Sequence, residues 1–192
     1  MGIITPGIPD SQFIRGKVPM TKEEVRSLSL CKLRLREDDV LLDIGAGTGS
    51  ISIEAAILLK KGMVHSIERK VEAVELIKKN IIKFEIENIN VIEGYVPEDL
   101  PNIKFNKVFI GGSGGNMEEI LDYIYENMQS GNVVINAITL ENTYKGYDYL
   151  RSKGFEDVEI IQVGISRGNM LKDLTLMKAE NPIFIVSGRK GK

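Results

Sequence analysis

The sequence predicts an α/β fold, a seven-stranded and mostly parallel sheet with an antiparallel final strand and helices on both faces. Three observations carry this. From residue 37 onward, short β-rich runs alternate with segments of helical period. Within those segments apolar residues recur at three- to four-residue steps, so each helix has one buried face. The last two strand candidates are joined by residues 168–182, which show no helical period, so the final strand returns antiparallel to its neighbour.

Taken in order, the chain opens with an arm over residues 5–19 that is punctuated by Pro and Gly. A helix over 22–35 follows, with Thr21 as its N-cap and Glu24 three residues on, the spacing of a capping box. Strands are expected at 40–44, 63–68, 90–93, 107–110, 133–137, 158–166 and 183–187. Ile51, Ala55 and Leu58 mark one helix between them, Val71, Val74, Ile77 and Ile81 a second, and Ile120, Ile124 and Met128 a third. No repeat or interdomain linker interrupts this, so residues 1–192 read as one domain, with 1–36 the arm and first helix and 37–192 the sheet core.

With 25 basic and 27 acidic residues the chain carries a formal charge of −2, which excludes a global field attracting nucleic acid or an anionic membrane. Cys31 is the only cysteine and is expected to be a buried structural thiol, since Leu28, Leu30 and Leu33 surround it. His65 is the only histidine, so no catalytic metal is expected. No apolar stretch approaches the roughly 20 residues needed to span a bilayer, and the start lacks a basic region leading into an apolar one. A cytoplasmic protein is expected.

The first strand runs into Gly45-Ala46-Gly47-Thr48-Gly49 and then a helix. Glycines at 45, 47 and 49 allow a ligand to approach the backbone closely, but Ser50 stands where a dinucleotide fingerprint has its third glycine. That argues against a nicotinamide cofactor. S-adenosylmethionine has no pyrophosphate, and needs a partner for its ammonium and room for its adenosine. Asp43, just before the turn, is expected to orient the turn and the ammonium. Glu68 ends the second strand nineteen residues beyond Gly49, where a carboxylate can accept both ribose hydroxyl protons. The run Glu93-Gly94-Tyr95-Val96 falls where adenine would be covered, with Tyr95 also readable as a surface residue. The expectation is a Rossmann-like, class I S-adenosylmethionine-dependent methyltransferase sheet.

The fourth strand leads into Gly111-Gly112-Ser113-Gly114-Gly115 and a helix start. Amino-group methyltransferases place an Asn- or Asp-Pro-Pro-aromatic run there and cytosine-C5 enzymes a reactive cysteine, and neither is present. Four glycines and a serine offer instead approachable backbone N–H groups, suited to carboxylates or to a flat ligand, or else form a flexible surface loop.

The segments 7–16 (GIPDSQFIRG) and 18–26 (VPMTKEEVR), the turn 43–49 (DIGAGTG), the loop 109–115 (FIGGSGG) and 166–168 (SRG) together resemble the cobalamin-pathway cobalt-precorrin-6B C15-methyltransferases (decarboxylating). The resemblance spans nearly the whole chain, its most specific parts being the arm and the double-glycine loop. It implies methyl transfer to C15 of a corrinoid precursor with loss of carbon dioxide from the ring C acetate. It implies donor contacts at Thr21, at Gly45, Ala46, Gly47, Thr48 and Gly49, at Glu68 and at Val96. It further implies a homotetramer, to which the arm is expected to contribute. Some relatives fuse this domain to a C5-methyltransferase, and a separate enzyme in the same pathway is expected to supply that step here. Many class I relatives have a small acidic residue where Tyr95 stands, so adenine contacts there are expected through backbone.

A carboxylate-decorated tetrapyrrole makes Arg15, Lys17, Arg167 and Lys172 candidate anchors, each equally readable as surface charge. Glu141, Asn142 and Thr143, after the fifth strand, are candidates for positioning the acetate. The macrocycle is its own carbon nucleophile, so no protein nucleophile is required. The competing readings are a methyltransferase acting on protein isoaspartate, tRNA or a small molecule, a noncatalytic S-adenosylmethionine-binding protein, and a nicotinamide-dependent oxidoreductase. The acceptor loop and the acidic balance disfavour the first, and Ser50 the last.

Overall fold

A computed structural model describes residues 5–100 and 102–192. Seven strands form one sheet: β1 (Val40–Ile44), β2 (Met63–Glu68), β3 (Ile89–Glu93), β4 (Lys107–Ile110), β5 (Gly131–Ala137), β6 (Glu156–Val163) and β9 (Ile183–Lys190), in the order β3-β2-β1-β4-β5-β9-β6. The pairs among β1 to β5 are parallel, and β9 inserts between β5 and β6 antiparallel to both. The order reverses at β1, which places a crevice at the carboxyl ends of β1 and β4. Three expected strands, at 40–44, 63–68 and 107–110, form with the expected bounds.

Alternation along the central strands divides the core. Leu42, Ile44, Val108 and Ile110 pack against Ile120, Leu121 and Ile124 of α4 (Met117–Asn127), while Leu41 and Phe109 face Val25, Leu30 and Leu33 of α1 (Glu23–Leu33) and Ala55 of α2 (Ser50–Leu58). The helix α3 (Val71–Lys83) buries Ala73, Val74, Leu76 and Ile77. No described helix is long and apolar enough to cross a membrane.

Two elements escape the sequence pattern. The helix α5 (Leu140–Ser152) buries only Thr143, Gly146 and Leu150, so its inward stripe contains one large apolar residue and shows no apolar period. Residues 166–179 form a hairpin, β7 (Ser166–Leu171) and β8 (Leu174–Ala179), every residue of which is exposed. Met170, Leu171, Leu174 and Met177 are each more than half exposed.

The N-terminal arm is bound to the body, not loose. Ile8 and Phe13 are buried, and the Phe13 ring packs on Phe84 with centroids 5.0 Å apart. Glu54, fully buried in α2, accepts from the Thr5 hydroxyl (2.7 Å) and the N–H groups of Gly7 (2.7 Å) and Ile8 (3.1 Å). It also pairs with the buried Arg26, whose guanidinium donates to the carbonyls of Ile8 and Thr21 and to Asp10, and lies over Phe13. Asn80 accepts from Ile14 N–H at 2.8 Å and donates to the Thr48 carbonyl at 2.9 Å, tying the arm to the glycine turn.

These contacts correct two expectations about α1. Lys22, not Thr21, occupies the N-cap, and neither Thr21 nor Glu24 closes a capping box. Asp10 accepts from Glu23 N–H at 3.0 Å instead, since the folded arm brings a carboxylate to the helix start from thirteen residues away. Cys31 is exposed, because the inward stripe of α1 is Val25, Arg26, Ser29, Leu30 and Leu33, and Cys31 lies off that face.

Candidate functional site

At the end of β1 the chain passes through Gly45 (φ 68°), Gly47 (φ 59°) and Gly49 (φ 76°), a left-handed sequence that side chains would strain. The N–H groups of Gly45 and Ala46 both reach the Ile67 carbonyl, at 3.0 and 3.3 Å. Close approach adds a second requirement for glycine. A Cβ on Gly45 would stand 2.6 Å from the Gly112 carbonyl oxygen, and one on Gly47 would stand 3.0 Å from that of Pro19. Turn, loop and arm therefore meet through bare backbone.

Glu68 closes β2 beside this turn. Its two carboxylate oxygens accept from Gly47 N–H and Lys70 N–H, each at 3.0 Å, and its side chain reaches the cleft described below while the residue is 8% exposed. Each oxygen retains acceptor capacity for a ligand hydroxyl.

Asp43 sits under the turn, fully buried, and accepts from the Ser52 hydroxyl, which lies 2.6 Å from that of Ser66. Its other oxygen and the Thr48 hydroxyl have no partner among the described residues. Burial pushes the Asp43 carboxyl up to about 7, the Ser52 hydrogen bond opposes this, and the negative charge of Glu68 adds to it. Asp43 thus braces the turn from below, rather than lining the space where an ammonium would be met.

The cleft over these residues encloses about 390 Å³, within the roughly 300–1,000 Å³ usual for small-molecule sites. Its wall is formed by residues 18–22 of the arm, 45–47, 68–70, 94–96, 111–114 and 136–138. Of the expected donor residues, Thr21, Gly45, Ala46, Gly47, Glu68 and Val96 line it, while Asp43, Thr48 and Gly49 are buried behind the turn. Gly111, Gly112, Ser113 and Gly114 line it also, and Gly115 (φ 107°) leads to Asn116 at the start of α4. Both glycine segments belong to one site.

The other acceptor candidates lie elsewhere. Arg15 and Lys17 are exposed on the arm outside the cleft wall, and Lys172 occupies the tip of the β7–β8 hairpin. Arg167 is paired with Glu24 (2.9 Å) and Glu180 (2.7 Å). Glu141 and Asn142 are exposed in the first turn of α5, and Thr143 is buried with its hydroxyl donated to the Thr139 carbonyl. In their place the structure brings in Arg69, Lys70 and Lys22. The run Glu68-Arg69-Lys70 carried that signal, since residues just past a parallel strand share the carboxyl-end rim with its last residue.

Residues 12–190 match the precorrin methyltransferase domain family. The chain is 42% identical, over 97% of each chain, to a protein from Saccharolobus solfataricus named probable cobalt-precorrin-6B C(15)-methyltransferase (decarboxylating). Among solved structures it is similar to a precorrin-6y C5,15-methyltransferase from Geobacter metallireducens (TM-score 0.88, 38% identity, 96% of this chain and 98% of that one). A second, described as precorrin 8W decarboxylase from Methanobacterium thermoautotrophicum, gives a TM-score of 0.86 at 34% identity, over 94% of this chain and 98% of the other. Matched along almost its whole length in sequence and in fold, with an acid-closed glycine turn at the switch point of its sheet, the chain belongs to the precorrin methyltransferase family.

Proposed function

We propose that the chain transfers the methyl group of S-adenosylmethionine to C15 of cobalt-precorrin-6B and decarboxylates the ring C acetate, a step of cobalamin synthesis in the cytoplasm. The observation that carries this reading is the single cleft in which an acid-closed glycine turn meets a loop almost free of side chains.

Bound at the turn, the donor supplies an electrophilic methyl group on a sulfonium. Glu68 would hold the ribose hydroxyls, Val96 would cover the adenine, and Gly45, Ala46, Gly47 and Thr21 would shape the remaining wall. Loop 111–114 would carry the macrocycle. A carbon–methyl bond would form at C15 as the sulfonium carbon–sulfur bond breaks, the macrocycle then giving up a proton, and the acetate carbon–carboxylate bond would break with release of carbon dioxide, a proton taking the vacated place on the carbon that stays on ring C. The protein's work is alignment and exclusion of water, which orientation alone can make worth several powers of ten in rate. C5 methylation falls to a separate enzyme.

Incubating the pure protein with donor and a corrinoid precursor pool, followed by mass spectrometry, tests the reaction. One methyl gained and one carbon dioxide lost is expected. Donor binding without turnover would favour a noncatalytic role, and methylation without carbon dioxide loss a different methyltransferase. Glu68→Ala should weaken donor binding by about 1.5–3 kcal/mol, the range for charge-assisted hydrogen bonds, as read by calorimetry. Gly112→Val probes the loop cleanly, because a Cβ there meets nothing within 4 Å and φ is not left-handed. Turnover should fall by roughly 100-fold with donor affinity retained, as for a reacting pair displaced by about 1 Å.

We also infer a homotetramer, assembled through the β7–β8 hairpin instead of the arm. Supporting this are the arm's seat on its own chain and the exposure of Met170, Leu171, Leu174 and Met177 on a two-stranded ribbon, a patch that a partner would cover.

A further inference from the structure

We infer that Arg69 is an acceptor-positioning residue, its guanidinium binding a carboxylate of the tetrapyrrole at the junction of the glycine turn and the loop after β4. This rests on the proposed function and names the side chain that would set the acceptor's orientation.

Arg69 is the first residue past β2, and Gly114 lies in the loop after β4. Because β1 stands between β2 and β4 in the sheet, a side chain joining those two points crosses above the glycine turn. The Arg69 side chain does so. Its Nη1 and Cζ atoms stand 2.9 and 3.2 Å from where a Cβ of Gly114 would be, a space that stays open because Gly114, at φ 61°, has none.

The charge there is not neutralised by any described residue. Among the described residues no carboxylate pairs with Arg69, although Glu68 precedes it in sequence, because the Glu68 oxygens are turned to the N–H groups of Gly47 and Lys70. Arg26, Arg167 and Arg189 are paired, with Glu54 and Asp10, with Glu24 and Glu180, and with Glu156 and Asp157, whereas Arg15, Arg34, Arg36 and Arg151 share the lack of a carboxylate partner among the described residues but do not line this cleft. Lys22, on the same wall, lies 3.4 Å from Asp10. Arg69 therefore presents a planar donor fork to a cleft whose loop wall, Ser113 apart, is bare backbone. Bidentate binding of a carboxylate is the chemistry that such a fork serves best, and the proposed acceptor carries several carboxylates at its rim.

Arg69→Met and Arg69→Lys test this, both at an exposed position where thermal melts should match the parent. Three measurements are needed: calorimetry with S-adenosylhomocysteine, fluorescence titration with uroporphyrin I as an unreactive polycarboxylated tetrapyrrole, and steady-state kinetics on the corrinoid. Arg69→Met should raise both the uroporphyrin Kd and the corrinoid KM by roughly 10- to 100-fold, the loss expected for a charge-assisted pair. S-adenosylhomocysteine affinity should be unchanged, and Arg69→Lys should fall between parent and Arg69→Met. The parent's uroporphyrin affinity should weaken with salt more steeply than that of Arg69→Met. Equal uroporphyrin affinity in parent and Arg69→Met would overturn the inference. So would a matching loss of S-adenosylhomocysteine affinity, which would assign the guanidinium to the donor pocket. A parent that binds uroporphyrin but leaves the corrinoid unchanged would instead defeat the proposed reaction, with Arg69 judged by the binding arms alone.

Discussion

The N-terminal arm and the β7–β8 hairpin are both extended segments outside the alternating sheet, yet they end in opposite states. The arm has little regular structure, one turn at Asp10–Gln12, but its amides and carbonyls are met by Glu54, Arg26 and Asn80 from inside the body. The hairpin has a full ladder of paired strands and no buried residue. Regular hydrogen bonding within a segment does not seat it on a core. What seats the arm is a set of buried polar groups whose partners lie on other elements, together with Ile8 and Phe13 as apolar anchors.

The sharpest break in that contrast comes from Glu54→Ala. It would leave the buried Arg26 charge with only the partly exposed Asp10 for a carboxylate and strip the partner from two arm amides, which should cost about 3–5 kcal/mol in urea denaturation, the usual result of removing one member of a buried ion pair. A loss below about 1 kcal/mol would mean that apolar contacts alone hold the arm. On the hairpin side, Leu174→Glu with Met177→Glu should leave the fold of the single chain within about 0.5 kcal/mol, as exposed substitutions generally do, while light scattering shows a smaller species. A tetramer that survives both charges assembles through another surface.

The smallest effect sharpens the lesson about buried carboxylates. Glu54 has partners on both oxygens, whereas one oxygen of Asp43 has none among the described residues. With its folded pKa raised from 3.8 to about 7, Asp43 adds stability that is fully present below about pH 4 and is lost as pH rises through about 7. Asp43→Asn should flatten that part of the stability–pH curve while keeping a side chain able to bond Ser52. Denaturation midpoints across pH 4–8 would read it, and an unchanged slope would show that Asp43 stays charged in the fold.

Much of the sheet was legible because its central strands are short, largely apolar runs bounded by glycine or by charge, as in Val40–Ile44, interrupted only by Asp43, and Lys107–Ile110. The helix α5 was not, since an inward Thr and Gly leave no apolar stripe to read. The glycine turn, Glu68 and the loop at 111–114 were legible as parts of a site, because backbone freedom and an acid at a strand end leave local marks. Their meeting in one cleft was not, and neither was the displacement of Arg167, which depends on Glu24 lying 143 residues away in the chain. Arg69 shows the limit from the other side. Its place on the rim is readable from the run Glu68-Arg69-Lys70, but its reach to Gly114 depends on which strand stands beside which, a fact of topology that no window of sequence contains.

The contact between Gly45 and the Gly112 carbonyl carries a consequence for how far the protein can drift without losing function. On the proposed reading these two loops carry the two reactants, and the distance between them is set by peptide groups in contact rather than by rotamers. Peptide groups have no side-chain rotamers to exchange, and the bonds from Gly45 and Ala46 N–H to the Ile67 carbonyl hold the turn in place, so the separation is stiff against thermal motion. It is also brittle. Any residue larger than glycine at position 45 would move both walls together, which leaves neighbouring surfaces free to vary while this one seam admits a single amino acid.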